Sequence, residues 1–478
     1  MTRVFSPLRR LSAFLSVLLV VGLVALPSTD AAEAPTAGSR GIGDGYFPKD
    51  GNGGYDVGHY DVHDTYRLRT GFLSGHTTVD ATATQDLSSF SLDLVLTPDA
   101  VRIDGHPVPF ARAGRHELVV TPSAPIATAT PFAVTVRYHG TPGKIGWGGE
   151  KPFFSVRGEA MATNEPHIAP WWFPVNDHPR DKATYDIVVA VARGAQVISN
   201  GSLVERRTSG SWTSWHWRMD RPMASYLAYF AAGSFRMESG TSYGLPWTVA
   251  VSRFFDRRSQ DRLLRLMKKS PAISHWLSTQ LGPYPFQATG GVVTAIDTGF
   301  ALENQSRPTY PFLAPGHDAH SVVVHELAHH WFGDQVSVDR WRDVWLNEGF
   351  ASWAEWRYDE THGRLSAWRR LQHTYAAHPA GDSFWRLRIG SPAEGRLFAD
   401  PVYDRGAMTL QALRHRMGTD PFLTLLRTWV TEHSDSTGTV EQFEALAEQV
   451  SGQDLDSFFG AWLRSGTRPA RTAANGLT

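Results

Sequence analysis

Residues 325–329 read His325-Glu326-Leu327-Ala328-His329, and nineteen positions further on Glu348 stands inside Trp345-Leu346-Asn347-Glu348-Gly349-Phe350-Ala351. Two histidines four apart on an α-helix differ by about 40° around its axis, so both imidazoles leave one face a turn apart and converge on one point. Val322, Val323, Val324, Leu327, Ala328, Trp331 and Phe332 surround the polar trio with apolar side chains, which predicts a helix buried on most sides. Buried His and Glu are costly unless something takes up their polar atoms. A catalytic zinc does so: it takes three protein ligands, His/His/Glu among the known sets, and keeps a fourth position for water. The reading assigns His325, His329 and Glu348 as metal ligands for one zinc ion and Glu326 as the base beside them. A chance His-Glu-x-x-His is expected roughly 0.04 times in a chain of this length and histidine content, and the second glutamate makes chance more remote. His330 lies about 140° from His325 at helical spacing and is expected to pack or to face solvent.

Around that helix the chain changes character once. Between Tyr55 and about Ser234, alternating apolar runs such as Leu92, Leu94, Leu96 and Tyr185, Ile187, Val189, Val191 predict half-buried strands of an antiparallel sheet domain, residues 55–237. Beyond that the period becomes helical, at Leu263, Leu266, Met267, at Phe443, Leu446, Val450 and at Leu455, Phe458, Phe459, Trp462. Thr439 and Gln442 form a capping box, and Asp454 is placed to cap the last helix. Residues 238–470 therefore read as a mixed strand-and-helix catalytic domain, with 471–478 as a tail, and the whole as an α+β multidomain chain.

At 478 residues, with 42% hydrophobic and 12% aromatic residues, the chain has room for two or three packed cores. A net charge of -1 argues against a nucleic-acid partner. Arg3, Arg9 and Arg10, an apolar run from Leu11 to Leu26 and small residues through Ala34 have the layout of a secretory signal over 1–34. The expectation is a secreted protein with no stable membrane anchor once the signal is cleaved; a retained anchor is the alternative. Cysteine is absent, so no disulfide contributes. Gly, Pro, Ala and Asp over 35–54 read as a flexible lead-in.

Several blocks together resemble the zinc aminopeptidases of the aminopeptidase N family, a branch of the gluzincin metallopeptidases. They are Trp172-Phe173-Pro174 with Asp177-His178-Pro179, Ser199-Asn200-Gly201, Pro283-Tyr284-Pro285-Phe286, the zinc motif, and Tyr403-Asp404-Arg405-Gly406-Ala407-Met408. The resemblance implies a saddle-like or sandwich-like antiparallel β domain followed by a thermolysin-like catalytic domain. Longer members add a large helical carboxy-terminal domain, which this reading does not expect. It also implies that Ala301-Leu302-Glu303-Asn304 is the exopeptidase motif, with Phe300 where a glycine is usual and Leu302 in place of Met. Ala301, Glu303 and Asn304 are then substrate-binding residues, Glu303 holding the free amino terminus. Glu165, in Thr163-Asn164-Glu165-Pro166, becomes a second ammonium ligand, and Tyr403 the donor that stabilises the tetrahedral intermediate. Read without the resemblance, Glu303 and Glu165 would be edge or loop carboxylates and Tyr403 a packing residue. Glu355, two helical turns after Glu348, is placed to hold a ligand histidine. The implied activity is zinc-dependent release of amino-terminal residues from peptides with a free amino terminus. A zinc endopeptidase on the same fold and a non-catalytic scaffold are the competing readings.

Overall fold

The computed structural model describes residues 34–478, apart from Gly148 and Arg157. The secretory signal expected over 1–34 thus lies, except for Ala34, outside the described residues. Alternation at period two becomes an eight-stranded sheet, in spatial order Ser202–Ser209, Trp212–Met223, Ala183–Ala192, Tyr55–Arg67, Phe72–Ala83, Pro131–Gly140, Thr97–Ile103 and His106–Pro107. Along Ala183–Ala192 the buried side chains are Ala183, Tyr185, Ile187, Val189 and Val191, with less buried residues between them, because successive side chains point to opposite faces. The sheet is antiparallel except at its centre, where Ala183–Ala192 pairs with Tyr55–Arg67 in parallel. A hairpin cannot make that pairing; the chain between the two strands crosses over, carrying four further strands of this sheet and part of two four-stranded ones.

The helical half is built on a four-stranded sheet, Phe235–Ser242, Leu245–Ser252, Thr289–Val293 and Thr309–Tyr310. Helices Asp318–Ala328, Trp345–Thr361 and Asp400–Met417 carry the motif residues. The last two cross with backbones nearly touching: a Cβ built on Gly406 would lie 2.7 Å from Gly349 Cα. Any larger side chain at that crossing would push the helices apart. The capping box is present in both halves, Thr439 accepting from Gln442 N and Gln442 Oε1 from Thr439 N. The last α-helix, Asp456–Phe459, has Leu455 at its N-cap with no side-chain cap; Asp454, expected there, stands one residue earlier and accepts from Asp456 N.

Two segments depart from the expectation. Residues 35–54, read as flexible, are a packed belt: Asp44 is 2% exposed and accepts from Trp341 N at 2.9 Å and Tyr46 N at 2.7 Å, Asp50 bonds His167 at 2.6 Å, and Asn52 is fully buried. The tail 471–478 likewise docks, through Asn475 O on Trp462 Nε1 and the buried Leu477. Local composition misled at 35–54 because the partners of that segment lie far along the chain.

Candidate active site

The helix Asp318–Ala328 places His325 and Glu326 in its last turn, and His329 follows as the C-cap residue, still in helical conformation. Glu348 comes from the first turn of Trp345–Thr361. Ligand atoms of His325, His329 and Glu348 all lie within 4.8 Å of one another. Glu348 Oε2 is 3.3 Å from His325 Nε2 and 3.6 Å from His329 Nε2. The other ring nitrogens are committed: His325 Nδ1 meets Glu355 Oε1 at 2.8 Å and His329 Nδ1 meets Phe332 O at 3.0 Å. Both outer partners are acceptors, so each Nδ1 carries the hydrogen and each Nε2 presents a lone pair inward. Two imidazole lone pairs and a carboxylate turned toward one point, with no protein donor between them, are the donor set of a tetrahedral zinc site. The trio expected from the sequence is brought together, and Glu355 is where the seven-residue spacing put it. Ser321 donates to the same carboxylate from the other side.

Glu326 sits beside the trio rather than in it. Its carboxylate shares a second cluster with Glu303 and His329, again within 4.8 Å, and burial pushes it up to about 8 against the pull of His325 and His329, a value that a dication on the trio would lower toward that of a base. Glu348 goes the other way: despite burial, His329 and His325 in their protonated forms, the state that competes with a bound cation, hold it at about 2. Burial raises both Glu165 and Glu303 above the usual carboxylate range, and for Glu165 the neighbouring Glu303 charge adds to it. Glu303 accepts from Tyr226 at 3.3 Å, while Glu165 Oε1 is buried with no partner. Burial and the Glu348 charge keep the Tyr403 phenol protonated well above its ordinary value. Its ring stacks beside His325, with centroids 6.0 Å apart.

These residues line one cavity of about 370 Å³, whose walls add Phe300, Ala301, Leu302, Val322 and Phe398. Ala301, Glu303, Glu165 and Tyr403 therefore face it as expected. Asn304 does not. It is fully buried, its amide oxygen accepting from Thr163 at 3.0 Å and Thr309 at 2.8 Å and its amide nitrogen donating to Leu227 O at 3.1 Å. With its amide so engaged, Asn304 fixes the loop that presents Glu303, which corrects its reading as a substrate contact. Next to it the buried Arg307 donates to Ser199 O and to Gly201 O, pinning the loop to the β half. His330 packs, fully buried, against Tyr284 at 3.0 Å. Tyr226, the partner of Glu303, had no signal in the sequence, since it reaches the site from a short turn of the β half.

Comparison with known proteins agrees with this geometry. Residues 294–462 match the Peptidase family M1 domain, and residues 57–227 match the Peptidase M1 N-terminal domain. The chain is 27% identical over 346 residues to Aminopeptidase M1 of Arabidopsis thaliana, covering 66% of this chain and 38% of that protein. It is 25% identical over 460 residues to Probable M1 family aminopeptidase 2 of Encephalitozoon cuniculi, covering 86% and 51%. The chain thus spans about half or less of the length of these curated relatives. An M1 zinc metallopeptidase from Deinococcus radiodurans, solved as a mutant bound to a Tyr-Ser-Ala substrate, superposes with a TM-score of 0.79 at 25% identity, covering 90% of this chain and all of that one.

Proposed function

Since the chain belongs to peptidase family M1, we propose that it is a zinc-dependent aminopeptidase, hydrolysing the first peptide bond of peptides that present a free amino terminus. The observation that carries this reading is the carboxylate pair Glu303 and Glu165 lining the same cavity as the zinc-ligand trio, with Glu165 Oε1 buried and unpartnered. An ammonium supplies what that pair lacks, a cation with three donors, and such charge-assisted bonds hold a chain end firmly. Holding the end there fixes how far the peptide enters, so only its first carbonyl reaches the reacting position.

His325, His329 and Glu348 would hold the zinc, which when bound supplies Lewis acidity and makes a nucleophile available from water near neutral pH. Glu326, alongside, takes a proton from the attacking water onto its carboxylate and later returns it to the departing amine nitrogen. The Tyr403 hydroxyl donates to the carbonyl oxygen as negative charge develops, where such a bond is strongest. Glu355 and Phe332 O keep both ligand imidazoles in the tautomer that faces inward. Phe300, Leu302 and Phe398 add apolar wall to the cavity beside these charges.

A free-amine tripeptide should be cleaved and its acetylated copy should not, with Glu303→Gln lowering kcat/KM on the free amine by about 10²-fold. Equal rates on both peptides would favour the endopeptidase reading instead. The arginine-then-apolar layout of residues 3–34 supports export of the enzyme. Protein collected from the culture medium should then begin near Ala32 or Pro35; recovery only from cells, with Met1 intact, would overturn it.

A further inference from the structure

The β half holds a second group of the same kind as the catalytic trio. Strand Leu87–Asp93 pairs with Glu117–Val120 in a register that sets Asp93 directly opposite Glu117, and His116 immediately precedes the second strand. Like charges in that relation repel. Both are buried, Asp93 at 1% exposure and Glu117 at 5%, and His116 is 5% exposed as well. Asp93 Oδ2 accepts from Asn52 Nδ2 at 3.1 Å and Asp177 N at 2.9 Å, but Asp93 Oδ1 and both oxygens of Glu117 are buried with no hydrogen-bond partner. Among the described residues, no lysine or arginine comes within ion-pair distance of either carboxylate; Arg40 and Lys49 act on Glu117 from further off, and the basic group in contact is His116.

We propose that Asp93, His116 and Glu117 form a second divalent-cation site, of the zinc or manganese class, that locks the 35–54 belt onto the β half. The spacings fit. His116 Nε2 is 3.5 Å from Glu117 Oε1 and 3.7 Å from Asp93 Oδ1, close to the 3.3 and 3.6 Å between His and Glu348 atoms in the catalytic trio. Ligands about 2.1 Å from a tetrahedral ion stand about 3.4 Å apart. Without a cation the Lys49 carbonyl accepts from that nitrogen at 3.3 Å; ligation would move the ring hydrogen to Nδ1 and free the carbonyl to serve as a fourth donor from the belt. One imidazole with two carboxylates favours a first-row transition ion over calcium or magnesium. Protonating the carboxyls is the rival way to remove the repulsion. It requires an acceptor for the Glu117 hydroxyl, which the Ser91 side chain or Asp93 Oδ1 would supply, and counting bound metal separates the two.

The belt connects this site to the rest of the molecule. Asn52 bonds Asp93, and Asp44, eight residues earlier, accepts from Trp341 N in the helical half. A cation at Asp93, His116 and Glu117 therefore stabilises the seat of a segment that spans both halves.

The test is metal stoichiometry on the full chain, stripped by chelation and titrated separately with zinc chloride and manganese chloride, with bound metal counted by mass spectrometry and calorimetry. The wild type should bind two equivalents of at least one of these ions and Glu117→Gln one. Glu348→Gln should keep the equivalent that Glu117→Gln loses, and the midpoint of thermal unfolding should rise with that equivalent in Glu348→Gln but not in Glu117→Gln. Saturation of the wild type at one equivalent with both metals, or two equivalents retained by Glu117→Gln, would overturn the proposal. If Glu117→Gln does not fold, His116→Gln and the wild-type titration decide by the same counts.

Discussion

Glu326→Gln should lower kcat on an aminoacyl amide by about 10³-fold with little change in KM, while the protein keeps its catalytic zinc. Glutamine preserves the side-chain volume but cannot accept the proton, so the loss falls on the chemical step. Zinc is retained because the Glu326 carboxylate lies with Glu303 and His329, outside the His325–His329–Glu348 convergence. Tyr403→Phe, measured alongside, should cost about 10²-fold in kcat, since it removes one donor to the developing oxyanion and leaves binding intact. A Glu326→Gln enzyme within tenfold of wild type, with one zinc bound, would take Glu326 out of the reaction.

The second large effect is expected at Glu348. Glu348→Gln removes the one anionic ligand and leaves the imidazoles facing a neutral amide, so metal analysis should show loss of the catalytic equivalent. Activity should fall by about 10³-fold or more, since the Lewis acid supplies several kcal/mol of transition-state stabilisation. Glu355→Gln gives the graded comparison. It keeps all three ligands but weakens the hold on His325 Nδ1, and the expected loss of zinc affinity is about 10–100-fold. Full activity in Glu348→Gln with no bound metal would contradict the whole reading of the cleft.

Most of this site was legible in the sequence because its parts are set by helical spacing. His325 and His329 four apart, and Glu348 and Glu355 seven apart, fix geometry before any tertiary contact is known. Strand alternation revealed the sheet half for the same reason, though not its central parallel pair, which depends on where two strands far apart in the chain meet, Tyr185 beside Tyr60 and Asp186 beside Asp61. What the sequence hid is what depends on distant partners. Glycine- and proline-rich composition at 35–54 suggested mobility, whereas Asp44, Asp50 and Asn52 find Trp341, His167 and Asp93 across long stretches of chain. Asn304 looked like a substrate contact until Thr163, Thr309 and Leu227 were seen to occupy its amide. The Asp93, His116 and Glu117 group matches no local pattern, since strand pairing alone brings Asp93 to the other two.

The glycine crossing of Trp345–Thr361 and Asp400–Met417 sets which parts of the cleft are free to diversify. Gly349 adjoins Glu348, and Gly406 lies one turn from Tyr403, so the acid that grips the ion and the phenol opposite it ride on a single rigid joint. Their separation cannot drift without prising the joint open. Tuning toward one amino-terminal side chain or another must therefore come from the loops bearing Phe300, Leu302 and Phe398, which border the same hollow and can be altered without disturbing that joint.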